Sequence, residues 1–186
     1  GYEPECQMDM ACDVMSKWAK GDDPFCLFLA WGGPHDPYRE MPPEYLAEYS
    51  PEDLELMPTV RDGRENILYG NDGKVSREDI AGYYAHTTAL DRCFGRLMDT
   101  LAQLGLKEDT LVVFTSDHGD MLWNHGYQRK GLPHRESAGI PMLVRYPGRV
   151  PAQRISDAPV SIVDMAPTLL GLAGDRKSTR LNSSHT

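Results

Sequence analysis

The chain is short of positive charge. Nineteen Lys and Arg stand against 28 Asp and Glu in 186 residues, a formal net charge of −9. A surface this acidic is a poor match for nucleic acid or an anionic membrane face, and an anionic substrate needs a pocket of local positive charge. No apolar run approaches the roughly 20 residues that cross a bilayer. Cysteine is sparse: Cys6, Cys12, Cys26 and Cys93 form no C-x-x-C pair, and Cys26 and Cys93 sit in apolar sequence. Buried free thiols are expected rather than a disulfide framework. There is no internal repeat. An initiator Met and a secretory h-region are also missing, so the chain is expected to be an internal fragment and its localisation is left open.

The last residues, DRKSTRLNSSH from Asp175 to His185, reproduce the codon-by-codon translation of a widely used sequencing-library adapter. Residues 175–186 are therefore expected to be an artefactual tail and 1–174 a single partial domain. The tail holds three cations against one carboxylate, so the body is two charges more acidic than the whole.

Hydrophobic residues make up 40% of the chain, enough for a packed core. Met8, Ala11, Cys12, Met15, Trp18 and Ala19 recur at helical spacing, predicting a helix over 8–19 that Gly21-Asp22-Asp23-Pro24 breaks. The continuous apolar run Phe25–Ala30 reads as a buried strand. Trp31 to Pro37 is a loop by composition, and Pro-rich polar sequence over 39–74 is either a functional surface loop or carries short helices. Turn signals stand at Asp62-Gly63 and Asn71-Asp72-Gly73. Ser76-Arg77-Glu78-Asp79 reads as a helix start, an apolar stripe runs from Ile80 to Leu104, and Gly105 suits the C-terminal cap. Strands are predicted at 111–114 and 141–146, and a helix capped by Asp164 through Leu172, with Pro167 in its first turn. This order predicts an α/β fold with a largely parallel sheet flanked by helices.

In open α/β sheets, ligands bind beyond the carboxyl ends of the strands. His35 stands five residues past the strand at 25–30, and Asp117 and His118 stand three and four past Phe114. If those strands are parallel neighbours, all three side chains reach one sheet edge. Gly32-Gly33 and Gly119 let the backbone turn there. Taken singly, each residue has an ordinary reading. His35 could bond a carbonyl, and Asp117 or Asp120 could cap a short helix. His125 and His134 could be surface histidines, and Lys130 a member of a solvated basic run with Arg129 and Arg135. Asp22-Asp23 precedes its strand, points to the wrong edge and reads as a turn.

Four segments resemble, in order, the sulfatase family of the alkaline-phosphatase-like superfamily. Pro24-Phe25 through His35 resembles P-F-[FL]-x-[FY]-x-x…P-H, and Tyr84-Ala85 with Asp91 resembles Y-x-A-x(5)-D. Ser116-Asp117-His118-Gly119-Asp120 through His125-Gly126 and Lys130 resembles S-D-H-G-[DE]-x-L-x-x-H-G-x-x-x-K. Glu136-Ser137 through Pro141–Val144 and Pro147-Gly148 resembles E-S-x-[RG]-[VI]-P-[LM]-[IL]-[VI]-x-x-P-G, and Val163–Leu170 is also typical.

The resemblance implies an alkaline-phosphatase-like fold, present here in part, and a metal-dependent sulfuric ester hydrolase acting on a small-molecule or carbohydrate sulfate ester. Asp117 and His118 are then ligands of a divalent cation, calcium by the family's habit. Manganese, magnesium and zinc stay open because imidazole suits softer ions than calcium. His35 and Lys130 are the catalytic and substrate-binding pair, neutralising the sulfate and assisting the leaving oxygen. The family's C-x-P-S-R or S-x-P-S-R segment, whose first residue becomes formylglycine, is absent from these residues. It is expected upstream of Gly1, which leaves the isolated fragment inactive. A phosphodiesterase or phosphonate monoester hydrolase of the same superfamily is the runner-up, and a non-catalytic binding or structural member a third reading. Periplasmic or secreted location is common in the family.

Overall fold

The first helix, α1 (Glu3–Trp18), begins a turn before its apolar stripe. Pro4 lies in its first turn, where a missing N–H costs nothing, and Glu3 and Glu5 face the positive end of the helix dipole. That is why the helix starts at Glu3 and not at the predicted Met8. Pro4, Met8, Ala11 and Met15 make its buried face. In the computed structural model, which describes residues 1–63 and 73–175, the chain forms two compact units, Gly1–Val150 and Pro151–Thr186. The turn expected at Asn71-Asp72 and all of the expected tail beyond Asp175 lie outside the described residues.

The Pro-rich segment after residue 39 carries a short helix α2 (Pro43–Leu46) and a 3-10 turn (Pro51–Asp53). The long helix α3 (Arg77–Gln103) then runs against α1. Its start follows the predicted chemistry, with Ser76 Oγ accepting from the Asp79 amide at 3.1 Å. Its end is a Schellman turn: Gly105 takes φ +72, the Leu106 amide donates to Leu101 O at 2.9 Å, and the Gly105 amide to Ala102 O at 3.1 Å. The core between the helices is Met8, Ala11, Met15, Cys93 and Leu101, with Leu27, Leu29, Trp31 and Val112 packed against it. Burying one such methionine contributes roughly 1.5–3 kcal/mol.

Strands β1 (Val112–Thr115) and β2 (Met142–Arg145) form where expected but pair antiparallel, Val112 opposite Arg145 and Thr115 opposite Met142. Between them lies a one-turn helix α4 (Arg135–Ala138). The predicted strand at 25–30 forms no ladder among the described residues, so the largely parallel sheet does not appear there. Its burial nonetheless alternates as in a strand. Leu27, Leu29 and Trp31 face the α1–α3 core, while Cys26 and Phe28 point outward, Phe28 at 90% exposure. The run is extended, covered on one side and unpaired. Cys26 is thus exposed rather than buried, as is Cys6; all four cysteines are free. No described helix is long and apolar enough to cross a membrane.

In the second unit, a 3-10 turn (Ile162–Asp164) leads into α5 (Met165–Leu172). Asp164 does not cap α5 with its side chain. It bonds back to the Ser161 amide at 2.8 Å and closes a capping box with Ser161.

One feature of α3 positions the loop that carries His35. Gly82 lies so close to that loop that an added Cβ meets the Tyr38 carbonyl oxygen at 2.2 Å. Replacing Gly82 with Ala therefore pries helix and loop apart and should cost about 1–3 kcal/mol; a urea unfolding midpoint equal to the parent's contradicts this. One turn on, buried His86 accepts from or donates to Tyr2 OH across 2.6 Å. Burial holds its imidazole below the ordinary 6.5, partly offset by a bond to the Pro37 backbone. The unfolded chain then binds the extra proton first. Stability is fully present above the unfolded value and is lost as pH falls below about 6.5 toward the lower folded value. Replacing His86 with Gln should flatten the stability–pH curve in that window, as followed by denaturation between pH 5 and about 7.

Candidate active site

β1 ends at Thr115, whose Oγ1 donates to the Pro141 carbonyl at 2.9 Å and ties the strand end to the start of β2. The next residues turn sharply. Ser116 Oγ donates to His118 O at 2.7 Å, and the Gly119 amide donates to Ser137 O at 2.8 Å. Gly119 is required by this approach, since a Cβ there meets Glu136 O at 2.1 Å. Asp117 and His118 are held on the outer side of the turn, Asp117 at 84% side-chain exposure and His118 at 32%.

His118 Nδ1 lies 2.8 Å from the Gly119 carbonyl, so it carries the hydrogen and leaves the Nε2 lone pair facing Asp117 Oδ2 at 3.6 Å. Ligands around a four-coordinate ion with bonds of 2.0–2.2 Å stand about 3.3–3.6 Å apart, so the pair fits one edge of a divalent site. A mixed nitrogen and oxygen pair suits a borderline ion better than calcium.

The second stretch arrives from the loop after Trp31, in which the Gly33–Pro34 and Asp36–Pro37 bonds are cis. His35 Nδ1 faces two oxygens of Asp36, the carbonyl at 2.9 Å and Oδ1 at 3.1 Å. Both are acceptors, so Nδ1 carries the hydrogen and Nε2 presents its lone pair to the Lys130 ammonium, with which it is in hydrogen-bond contact across 95 residues of sequence. The His35 ring meets the His118 ring edge-on at 6.1 Å. The four predicted residues are therefore gathered together: Lys130 on His35, His35 against His118, His118 beside Asp117.

Two residues that sequence reasoning passed over hold this arrangement. Asp36 Oδ2 pairs with Arg129 Nη2 at 2.9 Å, so Arg129 is not part of a solvated run. Tyr38 OH donates to Asp120 Oδ2 at 2.8 Å, and Asp120 Oδ1 accepts from the Leu122 amide at 3.0 Å, a turn rather than a helix cap. Burial first, and then Asp120, pushes the Tyr38 hydroxyl far above its ordinary value, which keeps it a donor. Each stretch thus holds the other, with Asp36 and Tyr38 gripping Arg129 and Asp120. The segment 57–63 also docks here: the His125 amide donates to Thr59 O at 2.7 Å and the Arg61 amide to Trp123 O at 3.2 Å. His125 and His134 are not isolated surface residues either, since their rings stack at 4.8 Å.

A sulfatase family model matches residues 2–175. The chain belongs to the sulfatase family. An ulvan-active sulfatase of Formosa agariphila is 37% identical over 175 residues, covering 92% of this chain and 33% of the relative. An N-acetylglucosamine-6-O-sulfatase of Bacteroides thetaiotaomicron is 38% identical over 140 residues, covering 74% and 24%. The crystal structure of the putative sulfatase yidJ from Bacteroides fragilis superposes with a TM-score of 0.81 at 28% identity, covering 94% of this chain and 37% of that one. The fold is therefore that of the alkaline-phosphatase-like sulfatases, and this chain spans between 24% and 37% of the length of these relatives.

The Asp36–Arg129 pair is half-buried, so removing one partner leaves the other charge without its ion pair in a site partly closed to water. Replacing Asp36 with Ala should lower stability by about 1–3 kcal/mol and free the His35 ring. Unfolding midpoints measure the first effect and His35 imidazole NMR linewidths the second. An unchanged His35 signal argues against Asp36 as its support.

Proposed function

We propose that the full-length protein hydrolyses a sulfate ester of a carbohydrate, and that this chain provides the wall of the active site bearing His35, Asp117, His118 and Lys130. The observation that carries the reading is the convergence of Lys130, His35 and His118 from two distant stretches of sequence onto one strand end. The sugar preference draws on the relative named for N-acetylglucosamine 6-O-sulfate chemistry.

Sulfate-ester cleavage breaks the S–O bond to the alcohol and leaves negative charge on that oxygen. The Lys130 ammonium can neutralise a sulfate oxygen and give a proton to the departing oxygen, while His35, its Nδ1–H fixed by Asp36, accepts from that ammonium through Nε2 and orients it. Asp117 and His118 are the residues suited to hold a divalent ion, whose charge, when bound, polarises the ester. None of the four is the attacking group. That role falls to a residue outside this chain, a formylglycine by the family's pattern. The 57–63 segment, bonded to the loop beside Lys130, is the candidate for substrate selection.

Turnover of an aryl sulfate and a 6-O-sulfated N-acetylglucosamine by the full-length protein tests the proposal. Asp117→Asn and Lys130→Ala should each lower kcat/KM by about 100-fold or more. Unimpaired turnover in either variant removes that residue's role. A preference for a phosphonate monoester over both sulfates replaces the substrate class, not the site.

A further inference from the structure

The loop after β1 holds a second set of metal donors that shares no residue with Asp117 and His118. His125 comes from the loop, His134 and Glu136 from the segment leading through α4. One donor atom of each lies within 4.8 Å of the other two. His125 Nε2 is 3.4 Å from Glu136 Oε1, already the edge length of a four-coordinate site with bonds of about 2.1 Å. The His134 ring lies over His125 at 4.8 Å and 19° and beside Tyr127 at 5.8 Å.

These side chains are half-buried, so they are restrained yet reachable by an ion. The backbone constrains them further. His125 takes φ +56, a left-handed conformation uncommon for a residue with a Cβ, and its amide is bonded to Thr59 O at 2.7 Å. Glu136 is fixed from behind, because its carbonyl packs on Gly119. Two of three ligands are therefore already spaced for an ion. The third needs only a turn of the His134 ring out of the stack, a motion of one half-buried side chain.

We propose that His125, His134 and Glu136 form a second metal site, one that takes a zinc-class divalent ion with the fourth position open to water or a partner ligand. Two imidazoles and one carboxylate match zinc and its neighbours and do not match calcium, which takes six to eight oxygens. This site stands independently of the proposed hydrolysis, because no residue is shared. A metal there clamps the loop at His125 to α4, whose Ser137 carbonyl holds the Gly119 amide at 2.8 Å.

The test uses Co2+ and Zn2+ with the full-length protein carrying Asp117→Asn and His118→Ala, which removes the other candidate pair. The expected result is one Co2+ per chain, with the intense visible absorption of a four-coordinate ion, displaced by Zn2+, and a melting temperature raised by Zn2+. Adding His134→Phe, which keeps an aromatic ring in the stack, should weaken binding by at least about 100-fold and abolish the Zn2+-dependent rise while the metal-free melting temperature stays unchanged. Glu136→Gln should also weaken binding. No Co2+ bound in the Asp117→Asn/His118→Ala chain overturns the proposal. So does Co2+ bound equally well with and without His134.

Discussion

The ion pair between Asp36 and Arg129 makes one site out of two stretches of chain. Arg129 precedes Lys130 and Asp36 follows His35, so a bond of 2.9 Å between the outer pair brings the inner pair into contact. The same carboxylate reaches His35 Nδ1 through Oδ1 and thereby sets the tautomer. A half-buried ion pair contributes little net stability once desolvation is counted, so its value here lies in geometry. It converts the positions of two flexible polar side chains into a consequence of backbone placement.

That placement rests on α3. Its N-cap, its Schellman turn and its seam with α1 hold it straight along the core, and Gly82 lets the Tyr38 backbone lie directly against it. His86 and Tyr2 lock the other side of the same loop. On the opposite wall, Arg145 bonds Glu108 at 2.9 Å and fixes β2 against the connection from α3 to β1. The polar site therefore sits between two fixed walls, one held by helix packing and one by an ion pair, which is how a cluster of exposed charges can keep one arrangement.

Local signals made part of this legible before folding. α3 could be read nearly to the residue because its cap chemistry lies within four residues of each end. Strand order could not, because an apolar run such as 25–30 declares that it is extended and covered but says nothing of its partner. Its outward face, with Phe28 exposed, is uncovered among the described residues. His35, Asp117, His118 and Lys130 stood out through motif and position after apolar runs. Asp36 and Arg129 did not, since an acid between prolines and a cation in a basic run look solvated until folding pairs them. His134 stayed hidden for the same reason: its significance is the stack on His125, nine residues away in sequence.

The acidity of the chain sharpens the chemistry of the site. A chain of net charge −9 offers an anion no long-range attraction, and at physiological salt fields fade within about 8 Å. Recognition must come from contacts. Arg129 already neutralises Asp36, and the Lys130 ammonium beside it is held on His35 Nε2. Asp117, almost fully exposed, adds a negative charge beside them. On the function proposed above, an ion on Asp117 and His118 neutralises that carboxylate and puts positive charge in its place. On that same proposal, a metal on that pair and an anion beside it are coupled through charge.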